Sequence, residues 1–205
     1  MAESLSKHLR QQCLDAVAER GMARIGLAGG STPMAAYADF AAFDMPWPQV
    51  RLVLIDERYV PLTDSQSNEA HIAAAFSGVS AHLGAWQGLY QAAQNIEQAA
   101  DAADAAIARF GLPLDVTVIG MGSDGHIASL FVESADFEAA MDTANPATVL
   151  PIRFAPGEGK TDRLSFTLPA LLKTRHAVFC ITGADKRAVL ESRLDGSAPS
   201  FAAAR

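Results

Sequence analysis

Short, almost entirely apolar segments recur along the chain and are separated by longer amphipathic ones. Residues 23–28, 50–55 and 114–119 are such segments, and each runs directly into glycines or charged residues. Apolar runs of this length, bounded by turn-forming residues, are typical of strands that are buried on both faces. We therefore predict strands at these three positions. Further strands are predicted over residues 149–154, 164–168 and 176–182.

The segments between the predicted strands carry apolar residues at helical spacing. Residues 3–20 show this spacing clearly, and Gly21 is a stop signal. Ser31 followed by Pro33 is a start signal, because a hydroxyl N-cap and a proline in the first turn both favour a helix N-terminus. Helices are therefore predicted over residues 3–20, from Ser31 onward, and over 67–76, 94–110 and 184–194.

Strands that alternate with helices predict the fold class. We expect an α/β fold, with a Rossmann-like, mostly parallel sheet that has helices on both faces. The 205 residues suit a single domain, 1–205. In such sheets ligands bind at the carboxyl ends of the strands. Most of the polar, glycine-rich segments of the chain follow a predicted strand directly, so the functional residues are expected there.

Charge and hydropathy restrict the possible partners. The formal net charge of −7 argues against general affinity for nucleic acid or for an anionic membrane. No apolar run approaches the roughly 20 residues that span a bilayer. The N-terminus lacks the apolar stretch of a secretory signal, so we expect a soluble, cytoplasmic protein. Cys13 and Cys180 are too isolated for a zinc site or a disulfide framework, which predicts buried, unreactive cysteines.

The turn Gly29-Gly30-Ser31-Thr32-Pro33 follows the first predicted strand. Glycines allow a sharp turn, after which the amides at a helix N-terminus can hold a phosphate, with two hydroxyls as further donors. A capped helix after a turn would explain Ser31 and Pro33 without any ligand. No lysine follows at Walker spacing, so a nucleotide P-loop is not indicated.

Charged residues follow the second predicted strand, in the segment Asp56-Glu57-Arg58. Such a segment is usually a solvated turn. Its position at the carboxyl end of a buried strand favours a functional role instead. Arg58 beside Asp56 would then form a substrate clamp.

The glycine-rich segment 120–126 follows the third predicted strand and contains a G-x-G-x-x-G pattern. A dinucleotide site also needs a second strand that ends in an acid about 20 residues later, and none is evident. Met121 stands where a nucleophile elbow would need glycine. A loop histidine is often only structural. His126 with the carboxylate of Asp124 two residues away is nevertheless a candidate general base.

The last polar junction contains Lys186, in the first turn of a predicted helix. A cation there opposes the helix dipole unless an anion is bound, although a surface position would also explain it. Arg58, Arg153, Arg163 and Lys186 all lie near predicted strand ends or adjoining loops.

Taken in order, these segments resemble the 6-phosphogluconolactonase family, within the larger group of glucosamine-6-phosphate deaminases. The family pattern is G-G-S-T-P, D-E-R-x-V-P with a downstream S-N, G-M-G-x-D-G-H-x-A-S-L-F, R-x-[ST]-x-T-x-P and G-x-x-K. The chain matches it at residues 29–33, 56–61 with 67–68, 120–131, 163–169 and 183–186. The deaminases would carry D-E-Y and G-H-I-A-F-N-E at the two central motifs. Arg58 and residues 129–131 therefore favour the lactonase branch.

The sequence departs from the family pattern at two places. Val132 stands where the family usually has proline after S-L-F. The chain ends soon after Pro199-Ser200-Phe201, where relatives commonly continue into a further strand.

The resemblance implies hydrolysis of 6-phosphoglucono-δ-lactone to 6-phosphogluconate in the oxidative pentose phosphate pathway, without a metal or organic cofactor. It implies that His126 activates water and that Asp124 orients the histidine ring. Arg58 would stabilise the carbonyl oxygen or fix the substrate, and Asp56 would position it. The groups expected to hold the phosphate are Gly29, Gly30, Ser31, Thr32 and Lys186, with Arg163 assisting.

Two alternative functions remain open, as do the monomer and the homodimer. The chain could be a deaminase or isomerase of another hexose phosphate, with Asp56 as its base. It could also be a non-catalytic sugar-phosphate sensor, which would need the phosphate loop but not His126. A sensor would normally be fused to a DNA-binding segment, and the 22 residues before the first predicted strand are too few for one.

Overall fold

A computed structural model describes residues 1–194 and contains the predicted alternation of helices and strands. Pro199–Phe201, after which the chain soon ends, lie outside the described residues. The helices are α1 (Ala2–Arg20), α2 (Ser31–Ala41), α3 (Asn68–Ala75), α4 (Ile96–Phe110), α5 (Phe137–Met141), α6 (Leu168–Leu172) and α7 (Ala184–Leu194). The strands are β1 (Ala23–Leu27), β2 (Val50–Leu54), β3 (Asp56–Arg58), β4 (Ala85–Gln87), β5 (Leu114–Ile119), β6 (Val149–Ile152), β7 (Arg163–Phe166) and β8 (Thr174–Phe179).

Five of these strands form a parallel sheet in the order β4-β2-β1-β5-β8, which confirms the predicted fold class. The chain runs from β1 outward to β2 and β4, and then returns to the other side of β1 for β5 and β8. Crossovers between parallel strands are right-handed as a rule, which puts α2 and α3 on one face of the sheet and α4 on the other. In agreement with this, α2 and α3 contact each other. The strand order reverses between β1 and β5, so the loops after these two strands open a crevice at the carboxyl edge.

The remaining strands form a second, antiparallel sheet in the order β3-β7-β6. The sequence did not predict this separate sheet. Residues 56–58 do not form the solvated turn that is usual for such a segment, because they pair with β7 as a strand. Asp56 lies opposite Ser165, and Arg58 lies opposite Arg163. Side chains alternate along a strand, so Asp56 and Arg58 share one face and Glu57 takes the other.

Helix ends follow the predicted signals at some positions but not at the start of α2. Gly21 ends α1 in the left-handed conformation, with φ of 75°. At α2 the N-cap is Gly30, with φ of 86°, and no side chain caps the first turn. The prediction of Ser31 as N-cap was therefore wrong, because the chain turns one residue earlier into a backbone conformation that favours glycine. Leu168 begins α6 instead of ending a strand, since the Thr167 hydroxyl accepts a hydrogen bond from the Ala170 amide.

The apolar core lies between the parallel sheet and its helices. Helix α1 packs against α2, β1 and β5, and α4 packs against β6 of the second sheet. An aromatic cluster of Tyr37, Phe40, Trp47 and Phe76 lies inside this core. Within residues 1–194, no helix is long and apolar enough to cross a membrane.

Candidate active site

A cleft of about 250 Å³ lies at the carboxyl ends of the parallel strands, beside β3 and β7 of the second sheet. It brings together segments that are more than 150 residues apart in the chain. Asp124 does not line the cleft and reaches it through His126. The other predicted site residues all line it: Gly29, Gly30, Ser31, Thr32, Asp56, Arg58, His126, Arg163 and Lys186.

One end of the cleft is formed by the N-terminus of α2. The first amides of a helix have no acceptor within the helix, and here no side chain caps them. The amides of Gly30, Ser31 and Thr32 therefore point outward with the positive end of the helix dipole. Pro33 lacks an N–H, so it adds no further donor. Gly29 must lack a side chain, because a Cβ there would overlap the carboxamide of Asn68.

A cation from α7 lines the same cleft as these amides. Lys186 lines the cleft, and its Nζ donates a hydrogen bond to the carbonyl oxygen of Met121 at 2.7 Å. This bond holds the side chain over the loop that follows β5. The lysine charge and the α2 amides together form a site suited to an anion.

The loop after β5 presents a histidine paired with a carboxylate. His126 Nδ1 lies 2.6 Å from Asp124 Oδ1, and the backbone amide of His126 donates to the same oxygen at 3.3 Å. Partial burial raises the pKa of Asp124, but the charge and hydrogen bonds of His126 outweigh it and hold that pKa below its usual value. Asp124 is therefore ionised at neutral pH and can only accept. In the neutral imidazole Nδ1 then carries the hydrogen, and the lone pair is on Nε2.

Glycine at position 122 makes this pairing possible. A Cβ there would overlap both the His126 ring and the Asp124 carboxylate. The loop closes through a hydrogen bond from the Gly122 amide to the His126 carbonyl oxygen at 2.9 Å. A bridge between Met121 and Ile127 adjoins it. The glycines of the G-x-G-x-x-G pattern thus serve the histidine loop.

Asn68 and a backbone carbonyl hold Arg58 in the cleft. Its Nη1 donates to Asn68 Oδ1 and to the Gln66 carbonyl oxygen, the latter at 3.1 Å. Among residues 1–194 no ion pair joins Arg58 to Asp56. Both side chains line the cleft, so the expected clamp on a substrate stays a prediction. Asn68 also donates to the Asp56 carbonyl oxygen at 3.1 Å, so one amide fixes both β3 and the guanidinium.

Glu57 anchors the segment that carries Asn68. Its carboxylate is fully buried, on the side of β3 away from the cleft. It accepts four hydrogen bonds at 2.6–3.1 Å, from the Ser67 hydroxyl and from the amides of Arg58, Asn68 and Glu69. Burial raises the pKa of Glu57, and these four bonds oppose the shift. The carboxylate thereby fixes the start of α3 against β3.

Asp56 faces the cleft but is only 6% exposed. Its Oδ2 accepts a hydrogen bond from the Ser129 hydroxyl at 2.7 Å. The amide of Ser129 in turn donates to the Ser165 hydroxyl at 3.2 Å. Ala128 adopts φ of 47°, a conformation uncommon for a residue with a side chain, and so turns the chain between His126 and Ser129. The two halves of the histidine loop therefore contact different acids.

Arg163 lies opposite Arg58 across the two antiparallel strands. Burial lowers the pKa of Arg163, the nearby Asp56 opposes that shift, and Arg58 adds to it. Its Nε is buried and has no hydrogen-bond partner in the part of the chain that the structure describes. Two guanidinium groups thus share the side of the cleft that faces β3 and β7.

Arg153, Cys13 and Cys180 contribute no charge to the cleft. Arg153 binds Asp136 and Glu97 and does not line the cleft. Cys13 is fully buried, and burial raises its pKa to about 12. Cys180 lines the cleft but is only 5% exposed, and burial raises its pKa as well. Both cysteines are therefore thiols at neutral pH.

The predicted site residues did not include Asn68, Ser129 or Glu57, although the matched motifs contain all three. Their roles depend on hydrogen bonds between segments distant in the chain. The signal available in the sequence was that each of these polar residues lies inside a motif that also contains a predicted site residue or directly follows one.

The chain is similar to known proteins in both sequence and structure. The model of the family described as glucosamine-6-phosphate isomerases/6-phosphogluconolactonase matches residues 1–204. The 6-phosphogluconolactonase of Rhizobium meliloti is 37% identical over 93% of this chain and 81% of its own length. The one from Pseudomonas putida is 35% identical, over 96% and 80%. The crystal structure of a 6-phosphogluconolactonase from Shewanella baltica superposes with a TM-score of 0.86 at 28% identity, over 94% of this chain and 81% of that one. The chain therefore belongs to the glucosamine-6-phosphate isomerase/6-phosphogluconolactonase family, and within it to the 6-phosphogluconolactonases.

Proposed function

We propose that this chain hydrolyses 6-phosphoglucono-δ-lactone to 6-phosphogluconate, the ring-opening step of the oxidative pentose phosphate pathway, through a water molecule activated by His126. The observation that carries the proposal is the His126–Asp124 hydrogen bond of 2.6 Å beside an anion-binding helix N-terminus in one cleft. A phosphorylated ester needs both features, a site for its phosphate and a base for the attacking water.

The phosphate is held where donors converge. Gly29 lets the turn pack on Asn68, and the amides of Gly30, Ser31 and Thr32 together with Lys186 then surround one end of the cleft. A doubly charged phosphate is stabilised there by the helix dipole and by the lysine. Arg163, whose Nε has no partner among residues 1–194, supplies a further donor.

Water is activated at the other side of the loop after β5. Because Asp124 holds the hydrogen on Nδ1, Nε2 of His126 takes a proton from water as the oxygen attacks the lactone carbonyl carbon. The tetrahedral intermediate then collapses, and the bond between this carbon and the ring oxygen breaks. The imidazolium returns its proton to the leaving ring oxygen. The new carboxylic acid loses its proton at neutral pH. No step in this route requires a metal or an organic cofactor.

Arg58 stabilises the negative charge that develops on the carbonyl oxygen. Its guanidinium is already held by Asn68 and the Gln66 carbonyl, so little reorganisation is needed when the charge forms. Asp56 is assigned a positioning role, since it receives the Ser129 hydroxyl and lies near Arg163.

The same observations bear on the two alternatives. A deaminase or isomerase would need Asp56 as a base toward a carbon-bound proton, and one Asp56 oxygen is already engaged by Ser129. The glutamate of the deaminase pattern is also missing, since Phe131 stands in its place. A sensor would need only the phosphate end of the cleft. The ordered His126–Asp124 pair favours an enzyme.

A lactone-hydrolysis assay with freshly generated substrate tests the proposal, with spontaneous ring opening subtracted. We expect His126→Ala to lower kcat by roughly 10²-fold or more and to leave sugar-phosphate binding largely intact. Wild-type turnover in this variant would refute the general-base role. Ammonia release from glucosamine 6-phosphate, or solvent deuterium at carbon 2 of a hexose phosphate, would instead support the deaminase or isomerase.

A further inference from the structure

Phe131 lies at the end of the histidine loop and contacts two groups of the cleft. Its ring centroid is 3.9 Å from that of His126, with an angle of 33° between the planes. The guanidinium carbon of Arg163 lies 5.0 Å from the same centroid. The phenyl ring is only 7% exposed. A single buried side chain therefore bounds both the candidate base and a candidate substrate-binding cation.

The hydrogen bond to Asp124 cannot by itself fix the plane of the histidine. It restrains one ring atom, and combined rotations about the Cα–Cβ and Cβ–Cγ bonds can still change the plane of the ring while Nδ1 keeps its partner. The Asp124 side chain is 50% exposed, and it lies in a loop with glycines at 120, 122 and 125. A second contact, on the face of the ring, is needed to aim Nε2, and Phe131 provides that face.

Phe131 is itself held from another side. Phe154 packs against it edge-on, with ring centroids 5.2 Å apart and an angle of 71°. Lys160 lies 5.7 Å from the centroid of Phe131 and also pairs with Glu133. Because neighbours restrain the phenyl ring, it can transmit its own orientation to the imidazole that stacks on it.

We propose that Phe131 is a positioning residue that sets the plane of the His126 ring, so that Nε2 points at the attacking water. This inference rests on the proposed function, because it acts through His126 as the general base. Phe131 does not exchange protons. Its contribution is to keep the base in the reactive orientation, and errors of about 1 Å in such an orientation cost up to roughly 10²-fold in rate.

The test replaces the ring while keeping apolar volume, in Phe131→Leu and Phe131→Met. Phe110→Leu is the matched control, since it removes a phenyl ring of similar burial at the end of α4, and that ring does not line the cleft. Phe131→Tyr is the rescue variant, because it retains an aromatic face. We expect kcat to fall about 10- to 100-fold in the first two variants. KM should change less than about threefold, and the control and the rescue should stay within about threefold of the wild-type kcat.

A spectroscopic measurement checks the contact independently of activity. In wild-type protein the His126 ring protons should be shifted upfield by the ring current of Phe131, with the resonances assigned by comparison with His126→Ala. The shift should persist in Phe110→Leu and disappear in Phe131→Leu or Phe131→Met. Thermal unfolding of each variant shows whether it folds, and the conclusion is drawn from whichever of Phe131→Leu and Phe131→Met does.

The outcomes separate this inference from the function on which it rests. If His126→Ala loses activity while Phe131→Leu and Phe131→Met keep kcat within twofold of the wild type, the positioning role is overturned and the base assignment stands. If His126→Ala keeps wild-type turnover, the base assignment fails first. A wild-type protein without the upfield shift would overturn the stacking itself.

Discussion

The carboxylate of Glu57 is a sensitive test of how the site is held, because it lies outside the cleft yet fixes a segment that lines it. Glu57→Gln preserves size and shape but replaces one acceptor oxygen by an NH₂ donor. The two oxygens of Glu57 each accept two hydrogen bonds. Either orientation of the glutamine therefore turns its donor group toward other donors.

The better orientation keeps the glutamine oxygen on the amides of Arg58 and Asn68. The Ser67 hydroxyl can rotate to accept from the new NH₂, but the Glu69 amide then loses its acceptor. A buried donor without a partner costs about 1–3 kcal/mol. The loss of a negative charge at a helix N-terminus adds about 0.5 kcal/mol. Burial raises the pKa of Glu57, so removing the charge offsets part of this cost. We expect a net loss of about 2 kcal/mol.

Thermal unfolding at neutral pH measures this loss, which corresponds to a decrease in Tm of about 4–8 °C for a chain of this size. Glu69→Gln is the matched control, because the only hydrogen bond found for the Glu69 carboxylate in residues 1–194 is the one from Trp86 Nε1, at 3.0 Å. A glutamine oxygen can keep that bond, so Tm should change by less than about 2 °C. Since Asn68 orients Arg58, kcat/KM should also fall in Glu57→Gln. Equal Tm values in the two variants would refute the argument.

Three further predictions concern single side chains. Lys186→Ala should weaken 6-phosphogluconate binding about tenfold by calorimetry and raise KM with little change in kcat, and unchanged affinity would exclude a phosphate contact. Asp124→Asn should lower kcat by roughly 10²-fold, because an amide can donate to Nδ1 and leave the hydrogen on Nε2. Wild-type turnover would show that Asp124 does not set the tautomer. Burial raises the pKa of Glu69 above its ordinary 4.5, so the folded chain binds this proton more tightly than the unfolded chain. Protonated Glu69 therefore stabilises the fold below pH 4.5, and this contribution is lost as the pH rises through the raised pKa. Over the same pH range, the free energy of unfolding of Glu69→Gln should increase relative to that of the wild type. A pH-independent difference between the two unfolding free energies would contradict this.

Much of the fold could be predicted because the five-stranded sheet obeys local rules. Residues 50–55 and 114–119 are mainly apolar, with Arg51, Asp115 and Thr117 as the exceptions, as expected for strands covered on both faces. Parallel strands end at one edge, so the motifs that follow them had to meet. Gly30, His126 and Lys186 were therefore expected to lie near one another, and all three line the same cleft.

The second sheet could not be predicted in the same way. Strand β3 has only three residues, all charged, and no apolar alternation marks it. It is a strand because β7, about 100 residues later, supplies the hydrogen-bond partners. The same non-local pairing sets Arg58 opposite Arg163. The start of α2 was misplaced for a local reason, because a glycine with positive φ at position 30 took the N-cap position from Ser31.

The proposed anion site lies in a chain with a net charge of −7, so the acids around the cleft must not oppose the ligand. Hydrogen-bond donors offset the negative charge of each acid. Glu57 accepts four hydrogen bonds, Asp56 accepts one from Ser129, and Asp124 pairs with His126. The cations are arranged differently. Arg58 and Arg163 lie opposite each other across two strands, and the Arg58 charge adds to the effect of burial in lowering the pKa of Arg163. Two like charges held together by the backbone repel each other, so an anion placed between them relieves that repulsion. We therefore expect the local cations, and not the net charge, to determine the affinity of this cleft for an anion.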